Sequence, residues 1–132
     1  MLTQLLSSGV LILITWTGFD VLMHRLLLQP LYAQNASLWR PFNQLNVALI
    51  YVVTFTLIAI FVAMYWLLIS PKSLGMGISF GACLGLALGI SSGFGTYIHM
   101  PIPRALALGW LIGGWLKGVA AGAILGTLIS GA

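Results

Sequence analysis

Asp20 and His24 stand four residues apart, a spacing that places a carboxylate beside an imidazole on one face of a helix. Such a neighbour fixes the tautomer of the imidazole and raises its pKa, as a proton relay or the support of a metal ligand requires. Asp20 is the only acid in the chain, and Lys117 is the deepest base, near the middle of the last apolar segment. At 1.5 Å rise per residue, Lys117 lies about 20 Å from Pro103, and Asp20 about 12 Å from the end of the first segment on the same side. An ionisable group at depth costs at least ~2.5 to 3.5 kcal/mol on insertion scales and is therefore paired or faces water. Side chains lean toward the N-terminus of their own helix, so on antiparallel helices these two lean toward each other. The expectation is an Asp20–Lys117 pair across the first and fourth helices. The other readings of Lys117 are a wet crevice and a contact with another subunit.

A second imidazole, His99, ends the third apolar segment on the same side. His24 and His99 together would be the only route to a haem or metal site, but two His without a supporting ligand set identify no metal. Hydrogen bonds to interfacial loop carbonyls are the plainer expectation, and no cofactor is predicted. Cys83 is alone, so neither a disulfide nor a cysteine-based metal site forms within one chain. One carboxylate excludes paired-carboxylate catalysis. Ser79, Ser91 and Ser92 lie among small residues as packing or backbone-bonded serines do. Glycine-rich phosphate loops need a strand before a helix, whereas these glycines lie within a span. No catalytic residues are assigned, and the chain reads as a non-enzyme. His24, Arg25, Tyr32, Trp39, Arg40, Tyr97, His99 and Arg104 instead form one polar and aromatic face, suited to lipid headgroups or a docking partner.

The elements that must position these groups follow from composition. Of 132 residues, 61% are hydrophobic and 5% charged, against about 25% charged in a soluble domain. An all-α integral membrane protein follows, with residues 1–132 as a single transmembrane domain. The formal charge of +4 comes without a clustered basic face, so nucleic acid is not an expected partner. Helices are predicted at about 2–28, 44–69, 73–98 and 103–129. Pro30 is expected to end the first, and residues 29–43 form the one long loop. The second segment is rich in Val, Ile, Thr, Phe and Tyr, as a strand would be. Its length decides for helix, because about 20 apolar residues cross the hydrocarbon core and an open strand there leaves its backbone unpaired. No basic residue precedes the first apolar run, so it reads as a retained helix rather than a cleaved signal. Arg25, Arg40 and Arg104 oppose Lys72, which predicts both termini outside the cytoplasm.

Two glycine ladders organise the second half. Gly77, Gly81, Gly85, Gly89 and Gly93 recur at every fourth residue, and Gly114, Gly118, Gly122 and Gly126 repeat the pattern in the last segment. Bare backbone strips allow close approach where lipid offers no hydrophobic drive. The third and fourth helices of an antiparallel up-down bundle are expected to pack through them, with a partner subunit or a second copy as the other recipient of one ladder.

Phe19-Asp20-x3-His24, Leu27-Leu28-x2-Leu31-Tyr32, Leu38-Trp39-Arg40-Pro41 and Tyr97-x2-Met100-Pro101-Ile102-Pro103, before a glycine-rich last helix, carry a resemblance over nearly the whole chain. The chain resembles an uncharacterised group of small four-helix bacterial membrane proteins. The resemblance implies four spans in the bacterial inner membrane and no assigned activity, and it leaves Lys117 unexplained. Three functions are ranked from the sequence. An accessory or assembly subunit of a larger membrane protein complex comes first. A small homo-oligomeric ion, proton or solute transporter using Asp20, His24 and Lys117 is second, and a cofactor-binding electron-transfer subunit third.

Overall fold

The computed structural model describes residues 1–129. Four of its helices are long and apolar enough to cross a membrane: α1 (Leu2–Leu27), α3 (Val47–Leu68), α4 (Leu74–His99) and α5 (Arg104–Leu128). A short helix, α2 (Gln29–Gln34), lies in the connection between α1 and α3. No strand forms among the described residues.

The ends of the long helices have local causes. Asn46 accepts a hydrogen bond from the Leu49 amide at 3.0 Å and caps α3, and Ser73 caps α4 by accepting from the Met76 amide at 3.1 Å. Pro103 holds an extended conformation immediately before α5. Three sequence expectations need correction here. The long loop is structured, with α2 and two 3-10 turns at Ala36–Leu38 and Phe42–Gln44. Pro30 does not end α1; it sits in the first turn of α2, where its missing amide costs nothing. Gln44 lies in a 3-10 turn, and α3 starts only at Val47.

Periodicity alone did not anticipate that α1 and α4 each change pitch. Val21–Leu27 and Ser91–Gly95 are π-helical, a widened turn that appears mostly as short insertions and often at functional sites.

α4 and α5 meet along bare backbone. A Cβ at Gly81 would collide with the Gly118 carbonyl, one at Gly77 with the Gly122 carbonyl, and one at Gly85 would lie 2.9 Å from the Gly114 oxygen. As residue number rises on α4, it falls on α5. Beyond Gly114 the partners change type: Gly89 faces the backbone of Leu111 and Gly93 that of Ala107. The α5 strip is thus longer than its glycines, because backbone atoms of non-glycine residues serve where the α4 side is bare.

Two apolar clusters flank this seam. Ile12 and Trp16 of α1, Ile58, Phe61 and Tyr65 of α3, and Ala121, Leu125 and Ile129 form the one near the chain ends. Tyr65 is fully buried there, its hydroxyl 3.2 Å from the Ser73 carbonyl and 3.4 Å from that of Ile129. The second, on the loop side, comprises Leu28, Ile102, Leu106 and Ala107 with Tyr32, Trp39 and Trp110 packed against it. α3 joins only the first. From Val47 to Leu57 every residue except Thr54 is exposed, so the loop-side half of α3 is little covered by the other described residues.

Candidate intramembrane polar site

Lys117 leaves α5 at a point where α1 passes close by. Its Nζ donates to Asp20 Oδ1 at 2.8 Å. Trp16 secures the same crossing twice: its indole Nε1 donates to the Lys117 carbonyl at 2.9 Å, and the ammonium lies 5.0 Å from the ring centroid. A cation over an indole face gains from the ring quadrupole.

From Asp20 the polar chain turns toward the loop side. His24 Nε2 lies 3.9 Å from the same Asp20 oxygen, and His24 Nδ1 is 2.6 Å from the Tyr32 hydroxyl. Trp110 Nε1 donates to that hydroxyl at 2.7 Å. The phenol oxygen accepts from the indole and keeps both a proton to give and a second lone pair, so it can serve Nδ1 as donor or acceptor; with the ring proton on Nε2, facing Asp20, Nδ1 accepts from Tyr32. The chain closes on α5 at Trp110, two turns or about 10 Å from Lys117. α2 is the element that makes this possible, since it returns Tyr32 over the end of α1. Trp39 packs edge-on against both Tyr32 and Trp110, with centroids at 5.3 and 5.9 Å. Burial pushes the Tyr32 phenol up from its usual range and the negative Asp20 adds to this, while the hydrogen bond from Trp110 acts in the other direction.

A cavity of about 320 Å³ opens beside the chain, lined by Asp20, Met23, His24, Ser92, Thr96 and Trp110, with Lys117 and three α5 glycines as its floor. Both π-helical segments border it: one carries Met23 and His24, the other Ser92. A second cavity, of about 410 Å³, lies on the other side of Lys117 between Trp16, Leu57, Phe61, Leu88 and Ser91. Lys117, Ser92 and Gly114 line both. The charged groups are not sealed in: the side chains of Asp20 and Lys117 are 44% and 26% exposed.

Of the residues predicted from sequence, Asp20, Lys117, His24, Tyr32 and Trp39 come together. Arg25, Arg40, Tyr97, His99 and Arg104 are exposed and stand apart from the chain. No hydrogen bond or ion pair joins His24 to His99 among the described residues, and no group of three His, Cys, Asp or Glu able to hold a metal occurs there. The predicted set omits Trp16, Ser92, Thr96 and Trp110. Trp110 was legible: it precedes Lys117 by two helical turns on the same face. Trp16 sits four residues before Asp20 and was legible in the same way. Ser92 and Thr96 depend on the π-helical turn and carried no signal. Comparison with protein-family models, characterised proteins and solved structures finds no match to this chain.

Proposed function

We propose that this chain is the unit of a small oligomeric membrane transporter that carries protons or a small solute past Lys117, Asp20 and His24. The observation that carries this reading is the polar chain from Lys117 through Asp20 and His24 to Tyr32, built beside a cavity between helices long and apolar enough to cross a membrane. Ionisable side chains within spans mark ion and substrate pathways or proton relays by default. In this reading the four long helices form an antiparallel up-down bundle in a bacterial inner membrane, with the α4–α5 glycine seam as its rigid part. The Arg25, Arg40 and Arg104 side faces the cytoplasm and both termini lie outside, as the bias in basic residues favours. The likeness to small four-helix bacterial membrane proteins agrees with that setting.

The sequence alone ranked an accessory subunit first, and one observation keeps that reading as the alternative. The loop-side half of α3 is exposed residue after residue, as a helix docking against a larger complex would be.

Purification in mild detergent followed by native mass spectrometry and reconstitution in liposomes separates the two. A homo-oligomer giving flux that D20N and K117Q abolish supports transport. Co-migration with larger subunits, and liposomes that stay tight, would replace it with the subunit reading.

A further inference from the structure

The charges of the site balance in a way that selects its ligand. With Lys117 positive, Asp20 negative and His24 carrying a single ring proton on Nε2, the unliganded site sums to zero. The titratable groups facing His24 are Asp20 on its own helix, Tyr32 from α2 and Lys117 from α5. An added charge at this depth must be compensated, because low dielectric penalises any uncompensated ion. An anion is compensated by a proton on His24, whereas a cation requires Lys117 to give one up. An imidazole with one ring N–H has a second nitrogen able to take a proton, whereas removing a proton from Lys117 would weaken the ammonium's bond to Asp20.

Donor counting agrees. The ammonium has three N–H donors, and Asp20 is its hydrogen-bond acceptor among the described residues. The remaining donors belong to a side chain that lines both cavities, and the hydroxyl-bearing Ser92 and Thr96 line the first beside it. Met23, Trp110 and the glycines make the rest of that wall apolar. A cavity of about 320 Å³ is at the small end of ligand sites.

We infer that this cavity binds a small monocarboxylic acid as its anion together with one proton, the carboxylate on Lys117 and the proton on His24. The inference rests on the transport reading of the same site and names its substrate class. On binding, the acid's proton goes to His24 Nδ1. The Tyr32 hydroxyl then turns from donor to acceptor, its two lone pairs taking Nδ1–H and the Trp110 indole N–H. The doubly protonated imidazole stays beside Asp20, and the site remains neutral.

Hexanoate is a suitable probe, with hexylammonium and hexanol as controls. Calorimetry on the detergent-purified oligomer, in buffers of different ionisation enthalpy at pH 7, should show hexanoate binding with uptake of about one proton per anion. K117Q should weaken binding at least tenfold, K117R should restore it, and H24Q should bind weakly without proton uptake. Should K117Q fail to fold, the K117R and H24Q results decide by themselves. Preferential binding of hexylammonium, or hexanoate binding with no proton uptake in the unaltered protein, overturns the inference. Hexanoate binding without flux in liposomes upholds the site and removes the transport reading; proton flux without hexanoate binding does the reverse.

Discussion

Trp16 holds Lys117 by two different atoms of that residue. The indole N–H bonds the backbone carbonyl at 2.9 Å, while the ring face lies 5.0 Å from the ammonium of the same residue. The pair fixes where α1 crosses α5, and Asp20, one helical turn further along α1, thereby arrives within 2.8 Å of the ammonium. W16F removes the N–H bond while keeping an aromatic ring, and should cost at least about 0.6 kcal/mol, the mean measured for interhelical hydrogen bonds in membranes, the smaller ring adding to the loss. W16A also empties a buried aromatic site and should cost about 3 to 5 kcal/mol. Thermal unfolding in detergent compares them; no loss in W16F beside a large loss in W16A would show that packing alone joins the helices here, and equal losses would show that the ring packing adds nothing.

The Asp20–Lys117 pair is only partly buried, so its coupling falls well below the 3–5 kcal/mol lost on breaking a fully buried pair. A double-mutant cycle with D20N and K117Q should give about 1 kcal/mol of coupling. The reversed pair, D20K with K117D, should recover part of the stability lost in D20K alone. Strict additivity in the cycle, with no recovery in the swap, would mean that the two charges do not act on each other.

How much of this was readable depends on the kind of signal. The four long apolar helices follow from length and hydropathy, which the bilayer constrains strongly. The lean of Asp20 and Lys117 toward each other follows from side-chain direction on helices, and the structure brings the two into contact. Tyr32 was chosen for its interfacial character, yet its role as the bridge between His24 and Trp110 depends on α2. That short helix has too few residues to show a hydrophobic period. The π-helical segments were invisible, because one extra residue in a turn leaves composition and spacing almost unchanged. His99 is exposed and takes no part in the polar chain, since a place near a helix end does not by itself set which way a side chain points.

The glycine seam makes a position-specific prediction. A methyl at Gly81 meets the Gly118 backbone, whereas one at Gly75 meets nothing within 4 Å. Overpacking costs typically ~1–3 kcal/mol where side chains give way, and G81A sits at the upper end or beyond because the obstacle is backbone. G75A should be neutral or slightly stabilising, since alanine is a better helix former than glycine by up to ~1 kcal/mol. Melting temperatures of both variants in the same detergent check this, and a neutral G81A would mean that α4 and α5 do not meet backbone to backbone at this position.

Tyr32 lies outside the long apolar helices, and its phenol is held above its usual value of about 10, first by burial and then by Asp20, against the pull of the Trp110 hydrogen bond. For an acid whose folded pKa is raised, the unfolded chain loses its proton first. The resulting stability is full below the unfolded pKa of about 10 and is lost as pH rises from there through the folded value. Y32F removes this alkaline dependence, so the stability difference between the unaltered protein and Y32F should narrow above pH 10. Absorbance near 295 nm, read as the difference between the two proteins, should show the missing phenol titrating later than free tyrosine. The same variant leaves His24 Nδ1 without a donor. It should therefore change proton uptake on hexanoate binding in amount or pH range, while W110F, which removes only the indole donor to the phenol, should alter it less. A Tyr32 titration at the free-tyrosine value, with proton uptake unchanged in Y32F, would show that the phenol is a bystander and that the polar chain ends at His24.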